Sequence, residues 1–271
     1  MKCGPADPSD RHRSACVWGK VLEVQVSVDD MILRGFGQGR PLLWIHGLGE
    51  SSLCFESVLT QPALQAYRHW LLDLPGYGRA PRSEPQTLAE LALRLEPVLE
   101  KVGPCTLIGH SMGGVLAVMI AERFGADRVV SVVNVEGNLS PGDCQYSGRV
   151  AGCTEREFLN WGRRELLDGL YHQGVADEAH RGYYASMRLA APGTVYQHSR
   201  DLVEISTTEE MVGRMTCLEV PTYYLAGVPN GVCERSLQLL SESTLSHDLI
   251  EPSGHWPFID QPAAFAERLA S

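Results

Sequence analysis

The sequence predicts an α/β fold: a doubly wound, mostly parallel sheet with an N-terminal antiparallel hairpin and a helical cap insertion. Three observations predict it. Short apolar runs alternate with helical stretches from Pro41 to Val135 and again from Pro221 to the end, the pattern left by strands buried on both faces of a parallel sheet. A stretch of period-two alternation precedes the first block. Between the blocks, about Leu139 to Leu218 carries helical stretches and no convincing strand. The expected organisation is a core of residues 17–138 and 219–271, a cap of 139–218, and a flexible leader of 1–16. A chain of 271 residues is long enough for one such domain with an insertion.

Taken in order, Val21 to Val28 alternates polar and apolar residues, Asp29-Asp30 makes a turn, and Met31 to Phe36 pairs back as the second hairpin strand. Leu42 to Ile45 is a buried strand ending at His46-Gly47-Leu48-Gly49. Ser51 to Gln65 is expected as a helix, and Trp70 to Leu72 as the next strand. Thr87 to Val102 reads as a helix with Leu88, Leu91, Leu95 and Leu99 along one face and a Thr87/Glu90 capping box. Cys105 to Ile108 is a strand that turns through Gly109 to Gly114 into an apolar helix, Val115 to Phe124. Val129 to Val135 follows as a strand. In the cap, Glu155 to Leu170 and Glu178 to Leu189 read as helices. Pro221 to Ala226 and His247 to Ile250 are the last strands, with helices near Glu234 to Glu242 and Gln261 to Leu269.

Composition excludes several classes. A formal charge of −10 with no Lys/Arg cluster argues against nucleic-acid binding. No apolar run reaches the roughly 18 residues of a membrane span, and Met1 to Arg13 lacks the apolar stretch of a secretory signal, so a cytoplasmic protein is expected. The eight cysteines form no C-x-x-C pair and no zinc-type spacing, which reads as free thiols in a reducing compartment. No metal or organic cofactor is implied. The expected state is a monomer or homodimer.

The chemistry lies in Gly109-His110-Ser111-Met112-Gly113, a G-x-S-x-G between a buried strand and an apolar helix. A serine on such a turn projects its hydroxyl above the sheet edge, and the N–H of Met112 points to the same spot. The competing reading is a glycine-rich turn whose serine merely caps the helix. A serine near neutral pH needs a base. Of the nine histidines, His255 in Ser253-Gly254-His255-Trp256-Pro257 follows the last strand, at the sheet edge where the serine emerges. His110 adjoins the serine but should point away from it. His69 leads into a strand, and His12, His172, His180 and His247 read as solvated.

With these pieces in place the chain resembles the α/β-hydrolase fold serine hydrolases, the capped esterase, lipase and C–C hydrolase group. The resemblance runs from about Val17 to the end: Gly39-Arg40-Pro41, His46-Gly47-Leu48-Gly49, Asp73-Leu74-Pro75-Gly76-Tyr77-Gly78, the Gly109 to Gly114 elbow, and Gly254-His255 running into Asp260-Gln261-Pro262. It implies that Leu48 supplies a second oxyanion-hole N–H beside Met112. The family's usual acid, an aspartate in a Gly-x-x-Asp turn, is here Gly227-Val228-Pro229-Asn230, and an amide cannot balance an imidazolium. Glu136 ends the strand after the elbow helix, the position at which certain haloalkane dehalogenases of this fold hold their acid. It is preferred over Glu234 or an acid-free arrangement at Asn230.

The expected reaction is therefore cleavage of a small-molecule carboxylic ester or lactone through an acyl-enzyme on Ser111, with His255 as base and Glu136 as acid. Gly47, Phe55, Trp161, Tyr184 and Trp256 are expected to line the substrate pocket, with Glu50 and Tyr183 also eligible. Arg163-Arg164 could meet an anion or form a solvated helix face. Alternatives are C–C bond, thioester or cyanohydrin cleavage by the same triad, or a ligand receptor with a vestigial site.

Overall fold

The structure, a computed structural model, describes residues 24–271; the leader and the first residues of the expected opening strand lie outside the described residues. Strand β1 (Val24–Val28) pairs with β2 (Met31–Phe36) across Asp29-Asp30. Both aspartates have positive φ, 47° and 61°, the conformation whose twist suits a two-residue hairpin. Then follow β3 (Arg40–Ile45), β4 (Tyr67–Asp73), β5 (Cys105–His110), β6 (Val129–Val135), β7 (Thr222–Asn230) and β8 (Ser246–Gly254). They form one eight-stranded sheet in the order β1-β2-β4-β3-β5-β6-β7-β8, antiparallel at β1-β2-β4 and parallel elsewhere. The expected fold class therefore holds. The register aligns Ile45 with Gly109 and His110 with Val135, so the C-terminal tips of β3, β5 and β6 meet at one edge.

The helices are α1 (Leu88–Arg94), α2 (Glu96–Val102), α3 (Met112–Phe124), α4 (Gln145–Ala151), α5 (Glu155–Glu157), α6 (Arg163–Gln173), α7 (Glu178–Leu189), α8 (Pro192–Thr207), α9 (Met211–Thr216), α10 (Glu234–Ser241), α11 (Pro257–Asp260) and α12 (Pro262–Ala270). Helices α4 to α9 all lie between β6 and β7, the segment expected as the cap. A π-helical turn, Phe158–Gly162, joins α5 to α6.

Two helical expectations need correction. Ser51 to Gln65 is three short helical turns, Ser52–Phe55, Val58–Thr60 and Pro62–Leu64. Gln61 precedes a proline and is extended (ψ 137°), which breaks the run, and the Ser52 N–H donates to Asp73 Oδ1 at 2.7 Å. The long helix after Thr87 is split at Leu95, because Pro97 brings no N–H to the ladder and its ring clashes with the turn before it.

The Thr87 capping box is present: Thr87 Oγ1 accepts from Glu90 N–H at 3.2 Å, and Glu90 Oε2 accepts from Thr87 N–H at 2.8 Å. Thr87→Ala should lower unfolding free energy by about 1 kcal/mol, read from the denaturant midpoint, with hydrolysis unchanged. An unchanged midpoint would remove the cap's contribution.

Candidate active site

Ser111 stands where β5 turns into α3, at φ 53° and ψ −119°, a strained conformation for a residue with a side chain. The flanking glycines make the turn possible. A Cβ on Gly109 would run into the Gly113 carbonyl, and one on Gly113 into the Ile45 backbone. The serine's own N–H is committed to Val135 O at 2.8 Å, which ties the elbow to β6. Met112 is the first residue of α3, so its N–H has no partner within the helix and lies at the positive end of the helix dipole.

Glu136 follows β6 directly, again with positive φ (56°), and is fully buried. Its Oε2 lies 3.1 Å from His255 Nδ1, and its Oε1 accepts a short hydrogen bond from the Gly227 N–H on β7. The turn behind it is held by Asn134 Oδ1, which accepts from Gly137 N–H at 2.9 Å. His255 lies just after β8 with its side chain 26% exposed, and it shares a cavity with Ser111. The structure thus brings Ser111, His255 and Glu136 to one sheet edge. Glu234 is an exposed first residue of α10, and Asn230 lies at the exposed end of β7.

The cavity at Ser111 is small, about 30 Å³, with Gly47, Leu48, Asn138, Tyr183, Leu202 and Trp256 in its walls. It adjoins an outer cleft of about 580 Å³ that runs past His255, Trp256, Tyr146, His180 and Asn230, with Asp143, Asp177 and Asp260 at its margin. Gly47, Leu48 and Trp256 therefore line the cavity that holds Ser111. Phe55 does not: it is wholly buried against Trp44 and Phe258, ring centroids 5.1 and 5.0 Å away, because the turn at Ser52 drives it into the core. Trp161 is 48% exposed on the π turn, and Tyr184 packs against Tyr171 and Arg188 instead of a cavity. The neighbouring Tyr183, about 100° round α7 from Tyr184, takes that place, its ring 5.3 Å from Trp256. Arg164 sits in an exposed i,i+4 pair with Asp168.

His180, expected as a solvated residue, instead borders the cleft, its Nε2 2.9 Å from Tyr146 Oη and its ring 5.0 Å from Trp256. His110 borders the serine's cavity and is tied into a buried network with Glu50, a residue only 2% exposed. Burial pushes the Glu50 carboxyl up, yet the neighbouring His110 charge and the bonds from His110, Trp256 and Gly47 outweigh it and bring it down to about 2. Among the described residues no three His, Cys, Asp or Glu side chains are grouped to hold a metal ion, and no helix is long and apolar enough to cross a membrane.

Known proteins share this architecture. The chain is 27% identical over 267 residues to the pimeloyl-[acyl-carrier protein] methyl ester esterase of Klebsiella pneumoniae (strain 342), covering 89% of this chain and 97% of that one. It is 29% identical over 245 residues to the enzyme of the same name from Sodalis glossinidius, covering 85% and 92%. A crystal structure described as a putative aryl esterase from Burkholderia cenocepacia superposes with a TM-score of 0.70 at 23% identity, over 91% of this chain and 96% of that one, a likeness of fold. The sequence model of the Alpha/beta hydrolase family matches residues 42–268, a span that takes in the serine elbow, the Glu136 turn and the His255 loop together. By that match the chain belongs to the alpha/beta hydrolase family.

Proposed function

We propose that the protein is a serine carboxylic ester hydrolase working through an acyl-enzyme on Ser111. The observation that carries this reading is the His255 Nδ1 to Glu136 Oε2 contact of 3.1 Å at the cavity that holds the strained serine. Ser111 Oγ attacks the ester carbonyl and passes its proton to His255 Nε2. The carbonyl oxygen, now anionic, is taken by the N–H groups of Leu48 and Met112. Glu136 accepts from Nδ1–H, which keeps the Nε2 lone pair toward the serine and stabilises the imidazolium. That imidazolium then gives its proton to the departing alkoxide, and a water molecule repeats the sequence to release the acid and free the serine. A lactone is a cyclic ester and would pass through the same steps. The relatives' named activity, on a methyl ester, belongs to the same class. All six described cysteines are free, which fits the reducing cytoplasm expected for this chain.

The cavities suggest the shape of the ester. The cavity beside Ser111, about 30 Å³, is far smaller than the cleft, so the smaller arm of the ester is assigned to it. The other arm has the 580 Å³ cleft. Leu48, Leu202 and Tyr183 give the inner arm an apolar wall beside the polar Asn138, Ser147 and Asp143, and the carboxylates of Asp143, Asp177 and Asp260 in the cleft lining disfavour an anionic group on the outer arm. Turnover of p-nitrophenyl acetate and of methyl butyrate, falling at least tenfold by p-nitrophenyl octanoate, is the expected result. Rates that rise with acyl length would mean that the cap helices part on binding, and would remove the short-arm restriction.

A further inference from the structure

A carboxylate and an imidazole that take no part in the proton relay lie beside it. Glu50, on the turn after β3, gathers donors from three segments. Its Oε2 accepts from Gly47 N–H at 2.6 Å and faces His110 Nδ1 at 2.8 Å, and its Oε1 accepts from Trp256 Nε1–H at 2.6 Å. The other ring nitrogen of His110, Nε2, lies 2.8 Å from the backbone carbonyl of His255. Both partners of the His110 ring are thus acceptors only, a carboxylate and a carbonyl. A neutral imidazole has one N–H and would turn a lone pair on one of them; only the imidazolium can donate to both.

His46, on the neighbouring strand tip, shows the opposite demand. Its Nδ1 faces Gly47 O at 2.9 Å, while its Nε2 accepts from Leu74 N–H at 3.1 Å, so one neutral tautomer satisfies both. Burial accordingly holds His46 below the usual histidine value. The same burial acts on His110, but the charge and hydrogen bond of Glu50, the His255 carbonyl and the Glu136 charge outweigh it and raise His110.

We propose that Glu50 and His110 form a standing carboxylate–imidazolium pair that positions the oxyanion turn and the His255 loop around Ser111. The proposal rests on the serine-hydrolase reading. Glu50 fixes the N–H of Gly47, one peptide before that of Leu48. The Gly47 carbonyl, in the same peptide plane as the Leu48 N–H, is held by His46 Nδ1 at 2.9 Å and by the Glu50 N–H at 3.2 Å, so the Glu50 carboxylate anchors one end of the oxyanion turn. Gly47 is wedged between the two sites: a Cβ there would lie 2.8 Å from Glu50 Oε2 and 3.1 Å from Ser111 Cβ. On the other side, His110 holds the main chain of His255 itself, and Glu50 holds the next residue's indole. Hydrogen bonds to charged partners are shorter and stronger than neutral ones, and a buried, fully satisfied network admits few alternative geometries.

The charges facing His110 come from every element around it: Glu50 after β3, Glu136 after β6, His46 at the end of β3, and His255 after β8. The His255 ring is 4.8 Å from that of His110, so the imidazolium formed during the reaction would be opposed by a second one. Two carboxylates, Glu50 and Glu136, stand against these two rings and balance them. Glu50 and His110 both border the Ser111 cavity, but their carboxylate oxygens and ring nitrogens are committed to each other, to the Gly47 N–H, to the Trp256 indole and to the His255 carbonyl, so they act as positioning residues.

The test combines ring nitrogen-15 NMR with kinetics. In wild-type protein at pH 8, where an ordinary histidine (pKa near 6.5) is neutral, His110 should show two protonated ring nitrogens. Glu50→Gln should lose that signature and lower kcat on p-nitrophenyl acetate about 10- to 100-fold with KM within about twofold. Glu50→Asp, which keeps the charge, should retain the imidazolium and an intermediate kcat. A neutral His110 ring in the wild type would overturn the pair. A full kcat in Glu50→Gln would overturn its positioning role. If Glu50→Gln fails to fold, the wild-type spectrum and Glu50→Asp still decide the matter. The spectrum needs no turnover, so a charged His110 in a protein inert toward esters would sink the esterase reading and leave the pair standing.

Discussion

Ser111→Ala protein should lose ester hydrolysis by about 10⁶-fold in kcat, down to whatever the oxyanion donors and binding alone provide. The substitution removes one oxygen and leaves the rest of the elbow as it is. Alanine carries the same Cβ as serine, so the strained φ of 53° costs no more than before, and the Ser111 N–H bond to Val135 O is a main-chain bond that survives. The variant should therefore melt with the wild type, which separates loss of the nucleophile from loss of fold. A fluorophosphonate probe, which phosphonylates an activated serine with loss of fluoride, should label the wild type once and the variant not at all. Wild-type turnover in the Ser111→Ala protein would remove the acyl-enzyme mechanism outright. Retained labelling would place the reactive group elsewhere in the chain.

The residues that make this test possible were legible because they are local. An apolar strand, a glycine-flanked serine and an apolar helix occupy consecutive positions from Cys105 to Phe124, and the strand tips that receive His255 and Glu136 follow from the alternation of strands and helices. What escaped the sequence reading depends on packing between distant segments. Periodicity marks α7 as amphipathic, but only its docking decides that Tyr183 meets the cavity and Tyr184 does not. Glu50 and His110 are 60 residues apart and Glu50 and Trp256 are 206 apart, so no local pattern signals their network. The expected helix from Ser51 failed for a local reason that could have been used: Pro62 sits within it, and the chain before a proline avoids helical geometry. The same signal at Pro97 marks the break after α1.

Glu136→Gln should lower kcat by about 10⁴-fold, while Glu234→Gln leaves it within about twofold. The difference follows from hydrogen-bond bookkeeping at position 136. The carboxylate accepts from two donors at once, the Gly227 N–H and the His255 Nδ1–H, and it is fully buried. A glutamine offers one oxygen and one NH₂. If its oxygen stays with Gly227, the NH₂ confronts His255 Nδ1 and selects the tautomer with its proton on Nε2, which cannot take a proton from Ser111. If the amide turns over, its NH₂ opposes the Gly227 N–H and leaves a buried donor unpaired. Either arrangement also removes the negative charge that offsets the imidazolium. Glu136→Asp keeps the charge but is one methylene short of His255, and should fall between the two. In the proposed mechanism Glu136, after β6 with its other oxygen reaching across to β7, serves in place of an acid at Asn230, and Asn230 lies at the exposed end of β7, so Asn230→Asp should not rescue Glu136→Gln. A large loss in Glu234→Gln with full activity in Glu136→Gln would return the acid to the later loop, and the 3.1 Å contact would then be a structural hydrogen bond with no part in the reaction.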